Sequence, residues 1–331
     1  ALSGDPLRWR GGSSAALAAQ GLSTHYQAHA AGRTQVMYLD WTQPEGVEQL
    51  CSQLAQADVF VCNLRAHVLP AMGLDDETLA AHYPQLVSCF ISGYSALHDA
   101  APCADWPAYD NTVQAASGLM RLSGAAPAGA RVGAPVLDYA TGMAALSGVL
   151  AALLERQRSG RGQVVRVNML AVAHQLMSAQ RTDMALTNQE PAFKGNRANS
   201  GEPLSRIFET AEGYLALAVN EAHQFDKLCH ALARPQWVSD VRFTTRAARQ
   251  AHAAALVELV QELLHTDRAL HWEQHLNSHG VAAAAVRSLR ESIQHPGAEV
   301  SPRLFRMQRG SVPASLLHAP HSPPSHLASF S

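Results

Sequence analysis

Charge is scarce in this sequence and favours neither sign. Only 16% of the 331 residues are Asp, Glu, Lys or Arg, with 25 basic side chains against 27 acidic ones. A chain so balanced has no sequence-wide basic field, so neither nucleic acid nor an anionic membrane is an expected partner. Cysteine is sparse: five residues, at 51, 62, 89, 103 and 229, an odd number with no Cys-x-x-Cys. That pattern argues against a disulfide framework and a zinc ribbon and points to a reducing, cytoplasmic setting. No pair among the 17 His sits at metal-ligand spacing with Cys or Glu nearby, so no metal is expected. There is no P-loop and no G-x-G-x-x-G. No uninterrupted apolar run reaches membrane-spanning length; the longest candidate, Met143 to Leu154, is short and broken by Ser147 and Gly148. The N-terminus lacks both a secretory pattern and an initiator Met, so a fragment or processed product is expected.

What is present is apolar content of 47%, ample for one large domain or two unequal ones. Helix and strand signals alternate. A helix start at Thr42 to Leu50 precedes a short apolar strand over Asp58 to Cys62. A helix over Asp75 to His82 precedes a strand over Leu86 to Ser92, and a further helix covers Asn111 to Met120. This is the grammar of crossover units on a parallel sheet. Thr141 to Arg158 is apolar on nearly every side, basic in its last turn and closed by Ser159-Gly160, which predicts a buried helix. Gln163 to Met169 reads as a strand and Leu170 to Asn188 as a helix. Phe193 to Ser205 is a Gly-, Asn- and Ser-rich junction. Beyond it, a strand over Gly213 to Val219 and helices over Phe225 to Ala233 and Ala253 to His265 predict a second, α+β unit. The domain plan is therefore a large α/β domain over 1–190, a linker over 191–205, a small α+β domain over 206–300 and an extended tail over 301–331.

Several residues could carry chemistry. Asp138 stands where a loop meets the long apolar helix. Its simplest role is a helix cap; the alternative is a carboxylate nucleophile favoured by the helix N-terminus. Asp110, in Tyr109-Asp110, is likewise a cap or a site residue. Asn63-Leu64-Arg65 follows an apolar strand, at the strand end where open α/β sheets bind ligands. Ser159-Gly-Arg-Gly162 is a helix stop or a phosphate contact.

Taken in order, these segments resemble the class III (CaiB/BaiF-type) CoA-transferases, which include formyl-CoA:oxalate and carnitine CoA-transferases. Ala57 to Arg65 resembles the family's "ADVFVENFRPG", and Tyr109 to Met120 its "YDxxxQAxSGLM". Val132 to Gly142 resembles "VGVPIADxxxG", and Ala151 to Gln163 resembles "AALLERxxTGRGQ". The resemblance implies a Rossmann-like large domain with a parallel sheet, a smaller α+β domain and an interlocked homodimer. It implies acyl-CoA and a carboxylic acid as substrates, with no permanently bound cofactor. It makes Asp138 the catalytic aspartate, Tyr109 and Asp110 its active-site neighbours, and Asn63, Leu64 and Arg65 contributors to the CoA site.

The departures are equally specific. The family's opening strand-helix unit, which precedes "GDPxR", has no counterpart before Gly4-Asp-Pro-Leu-Arg8, and the family's "GNxHP" reads Gly195-Asn-Arg-Ala-Asn199. Two alternatives follow: an α-methylacyl-CoA racemase on the same fold, or a truncated, catalytically silent CoA-binding paralogue. The racemases carry a His where this chain has Tyr109, and a phenol of pKa about 10 is a poor base at neutral pH.

Overall fold

The computed structural model describes residues 4–30, 36–94, 103, 105–124, 129–193 and 195–298. The expected tail over 301–331 lies outside these residues, as do positions 125–128 of the loop before Pro135. The chain forms two compact units, one holding residues 1–89 and 151–164, the other 90–150 and 165–300.

In the first unit, short helices α1 (Ala15–Ala19) and α2 (Thr24–Ala30) precede α3 (Pro44–Leu54), β1 (Val59–Cys62) and α4 (Asp76–His82). Pro44 begins α3, where a missing N–H costs nothing. Asp75 caps α4, its carboxylate accepting from the Thr78 amide at 2.9 Å and the Thr78 hydroxyl at 2.7 Å. Strand β2 (Val87–Ser92) buries its first four residues, as a strand covered on both faces should. It lies in the middle of a parallel sheet of order β1-β2-β3, with β3 at Val164–Asn168. The α/β architecture with a parallel sheet thus agrees with the alternation in the sequence.

Two helices expected to be continuous are divided. The one over Asn111 to Met120 becomes α5 (Asp110–Ala116) and α6 (Leu119–Leu122), because Gly118 takes φ +87° between them. The one over Leu170 to Asn188 becomes α8 (Met169–Leu176) and α9 (Ser178–Thr187), with Met177 at the break.

The long helix α7 spans Val136–Ser159, beginning five residues earlier than its apolar pattern suggests. Gly160, at φ +70°, ends it by donating to the Arg156 carbonyl at 2.8 Å. A Cβ on Gly162 would lie 1.9 Å from the Leu86 carbonyl oxygen, so Ser159–Gly162 serves as a helix stop and a close backbone approach. The expected burial of α7 is corrected. Leu137, Thr141, Ala145, Val149 and Ala152 form a buried stripe, while Tyr139, Met143, Leu146, Leu150 and Leu154 are each more than half exposed. A helix apolar all round has two faces to cover, and the described residues cover one. By length and composition α7 would also suffice to cross a bilayer, which the reading of Met143 to Leu154 as a broken run missed.

A small antiparallel sheet of order β4-β5-β6 (Arg206–Glu209, Tyr214–Ala218, Ala282–Ala285) belongs to the second unit. In β5, Leu215 and Leu217 point inward while Tyr214 and Ala218 face out, the period-two pattern of a one-sided sheet. Helices α10 (Ala222–Ala231), α12 (Ala253–Leu264) and α13 (Ala269–Ser278) supply Phe225, Leu228, Leu256, Val260, Leu264 and Leu276 to the same core. Short helices α11 (Arg246–Ala251) and α14 (Leu289–Ile293) complete the described chain.

Candidate active site

Asp110 anchors the candidate site through two hydrogen bonds. This residue opens α5, where the Thr112 hydroxyl accepts the Tyr109 amide at 3.0 Å. Its side chain is buried, and it caps a different helix: Asp110 Oδ2 accepts the Leu137 amide, in the first turn of α7, at 2.8 Å. Its other oxygen accepts the Gln114 amide nitrogen at 2.6 Å, and Gln114 Oε1 in turn accepts the Val132 amide at 2.9 Å. One carboxylate and one fully buried amide therefore fix both the loop before α7 and the first turn of α7.

Asp138 follows Leu137 directly and is the third residue of α7. It lies inside the helix rather than at the cap, near the positive end of the helix dipole, which favours a carboxylate by about 0.3–1 kcal/mol. Leu137 is turned into the core with Val113, Met169, Ala173 and Met177, so its neighbour Asp138 faces outward and is exposed. A carboxylate nucleophile for a thioester works best shielded from water, and in the single chain Asp138 is exposed, on the same helix that keeps an uncovered face among the described residues. One turn on, Thr141 Oγ1 is buried and has no hydrogen-bond partner among the described residues. Tyr109 is 71% exposed.

Tyr109, Asp110 and Asp138 thus come together in one unit, joined through Leu137. Asn63, Leu64 and Arg65 lie in the other unit, directly after β1. There Leu64 lines a cavity of about 470 Å³ with Phe60, Cys62, Met72 and Leu74, while Asn63 and Arg65 are exposed beside it. This is the C-terminal end of a strand, where α/β sheets offer ligand space. Burial pushes the Cys62 thiol up from its ordinary pKa, keeping it protonated. All five cysteines are free thiols. Among the described residues no cluster of three His, Cys, Asp or Glu side chains is placed to hold a metal ion. Sequence reasoning placed Asp110 beside the nucleophile candidate but missed Gln114, whose spacing of one helical turn from Asp110 was the available signal.

Residues 1–326 match the family model described as CoA-transferase family III. The chain belongs to that family. It is 30% identical over 281 residues to a succinate–glutarate CoA-transferase of Agrobacterium fabrum, covering 83% of this chain and 68% of the relative. It is 29% identical over 260 residues to an acetyl-CoA:oxalate CoA-transferase of Acetobacter aceti, covering 78% and 65%. Among solved structures, a CaiB/BaiF family protein from Brucella suis superimposes with a TM-score of 0.66 at 28% identity, covering 78% of this chain and 68% of that one. The chain therefore spans about two thirds of the length of these relatives.

Proposed function

We propose that the protein exchanges CoA between an acyl-CoA donor and a carboxylic acid acceptor, with Asp138 as the covalent nucleophile. The observation that carries the reading is the Asp110–Leu137 bond, which fixes the first turn of α7 and so the position of Asp138. The Asp138 carboxylate oxygen attacks the donor thioester carbonyl; the C–S bond breaks, releasing CoA thiolate and leaving a mixed anhydride. The thiolate attacks the aspartyl carbonyl of that anhydride, and the donor acid leaves as its carboxylate. The acceptor carboxylate attacks the aspartyl thioester, and the released thiolate then takes the acceptor acyl group, regenerating Asp138. Every step trades one nucleophile for one leaving group, so no proton needs to move.

Hydrolysis of either intermediate must be prevented, and this requires water to be kept from Asp138. A second copy of the chain lying on the uncovered α7 face, which begins at Tyr139, would supply that exclusion. The homodimer is therefore part of the proposal, as are a CoA-binding domain over 1–190, a linker over 191–205 and a small domain over 206–300. Leu64, with Asn63 and Arg65 beside it, lines the space proposed for CoA.

Asp138→Ala is expected to lower CoA exchange by about a thousandfold or more, and its exposure allows the variant to fold as the parent does. Mass spectrometry during turnover should detect a CoA adduct on the peptide bearing Asp138. The acids named in the relatives above, succinate, glutarate and oxalate, are the first acceptors to screen. Full activity in Asp138→Ala would overturn the mechanism. A monomer by light scattering at assay concentration would overturn the water-excluding dimer. Saturable CoA binding in calorimetric titration with no CoA exchange to any acid screened would favour the silent CoA-binding paralogue instead.

A further inference from the structure

A second cavity, of about 340 Å³, lies within the unit that carries Asp138, between the α5–α6 break, helices α8 and α9 and the strand-free segment after α9. Its volume falls in the range of small-molecule sites. The lining has two characters. Met177, Met184 and Phe193 give it apolar walls, with Met177 buried in the same core cluster as Leu137. Arg121 and Arg181 bring two guanidinium groups, neither of which has a hydrogen bond or ion pair among the described residues.

Two cations at the edge of an apolar cavity select a ligand with an anionic head and an apolar body. Guanidinium matches the planar carboxylate in a two-bond arrangement. Glu190 shares the lining, and its negative charge opposes a second anionic group on the ligand. His174 also lines the cavity, and burial together with the Arg181 charge pushes its imidazole below the ordinary pKa, so at neutral pH it adds a hydrogen-bonding group without a third full charge.

We infer that this cavity is a binding site for an amphipathic monocarboxylate, such as a medium-chain fatty acid, separate from the Asp138 site. Arg121 and Arg181 hold the carboxylate, and Met177, Met184 and Phe193 receive the chain. The inference does not depend on the transferase reading, because it requires only binding.

The test is calorimetric titration of the full chain with octanoate, octyl phosphate and octanol. One saturable octanoate site is expected, with octanol and octyl phosphate each bound at least tenfold more weakly. Arg121→Gln combined with Arg181→Gln should weaken octanoate at least tenfold, while the corresponding Lys pair should recover part of that loss. Both arginines are exposed, so circular dichroism of the variants should match the parent. Saturating CoA should leave octanoate affinity unchanged. Equal binding of octanol, undiminished binding by the double Gln variant, displacement by CoA, or no saturable octanoate site would each overturn the inference.

Discussion

Helices α7 and α12 are both rich in aliphatic side chains, yet they end in opposite situations. Leu256, Val260 and Leu264 on α12 are completely buried, against the small sheet and helices α10 and α13. On α7, Met143, Leu146, Leu150 and Leu154 remain 52–64% exposed while the opposite stripe is buried. The small sheet and its helices close a core with residues from one stretch of chain, and the aliphatic face of α12 is buried in it. Helix α7 carries more apolar surface than the described residues cover, a pattern that fits a further contact on this face. The nucleophile candidate stands at the start of that uncovered face, so in the proposed dimer one contact would both cover the face and exclude water from Asp138.

The comparison breaks most visibly in stability measurements. Leu256→Ala should cost about 2–5 kcal/mol, because the side chain leaves a cavity in a closed core. Leu150→Ala should cost within about 0.5 kcal/mol in dilute, dissociated chain, since an exposed side chain has little burial to lose. At high protein concentration the α7 substitution should instead weaken self-association, seen as a loss of the concentration dependence of Tm. Equal losses for the two leucines in dilute solution would mean that the α7 face is covered within the single chain.

Next in size is the bond network under Asp138. Asp110→Ala removes the acceptor of both the Leu137 amide and the Gln114 side chain, leaving buried donors unsatisfied. Chemical denaturation should show a loss of about 1–3 kcal/mol. Activity should fall further than the folded fraction accounts for, because the first turn of α7 is no longer pinned. A loss of activity that merely tracks unfolding would reduce Asp110 to a structural residue.

These two aspartates also show what was legible in the sequence. The strand-helix alternation, the strands near Asp58 to Cys62 and Leu86 to Ser92, the helix beginning near Asp75 and the stop at Gly160 are local signals and agree with the structure. Asp110 was readable as a cap, but its recipient is Leu137, 27 residues away, and no local pattern encodes that pairing. The exposure of Asp138 was illegible for a related reason. Periodicity distinguishes faces only when one is polar, and α7 is apolar on both, so which face was buried depended on the tertiary surroundings. Gly118 was visible in the sequence, but a lone Gly in a helical pattern is often tolerated, so the break between α5 and α6 was missed.

Thr141 sharpens the comparison on the buried side of α7. Its Oγ1 has lost water without gaining a partner among the described residues, a cost that its methyl group does not share. Thr141→Val keeps the shape and removes the unsatisfied hydroxyl, so stability should rise by about 1 kcal/mol in thermal or chemical unfolding. A loss of similar size would show that the hydroxyl is satisfied in the folded protein, and the buried stripe would then be less dry than its exposure values imply.

The smallest expected effect belongs to His174, on the partly buried side of α8. Its folded pKa lies below that of the unfolded chain, through desolvation first and the Arg181 charge second. Between the two values the unfolded state binds more protons than the folded state, so stability rises with pH through that window. The contribution is fully present above the ordinary His value of about 6.5 and is lost as pH falls through it. Comparing unfolding midpoints of the parent and His174→Gln from pH 5 to 8 isolates this group from the other histidines, because only the difference between the two curves is read. The parent should lose slightly more stability on acidification. The opposite sign would mean that His174 is stabilised as a cation, which burial and the neighbouring Arg181 charge disfavour and which a bound or adjacent carboxylate would reverse.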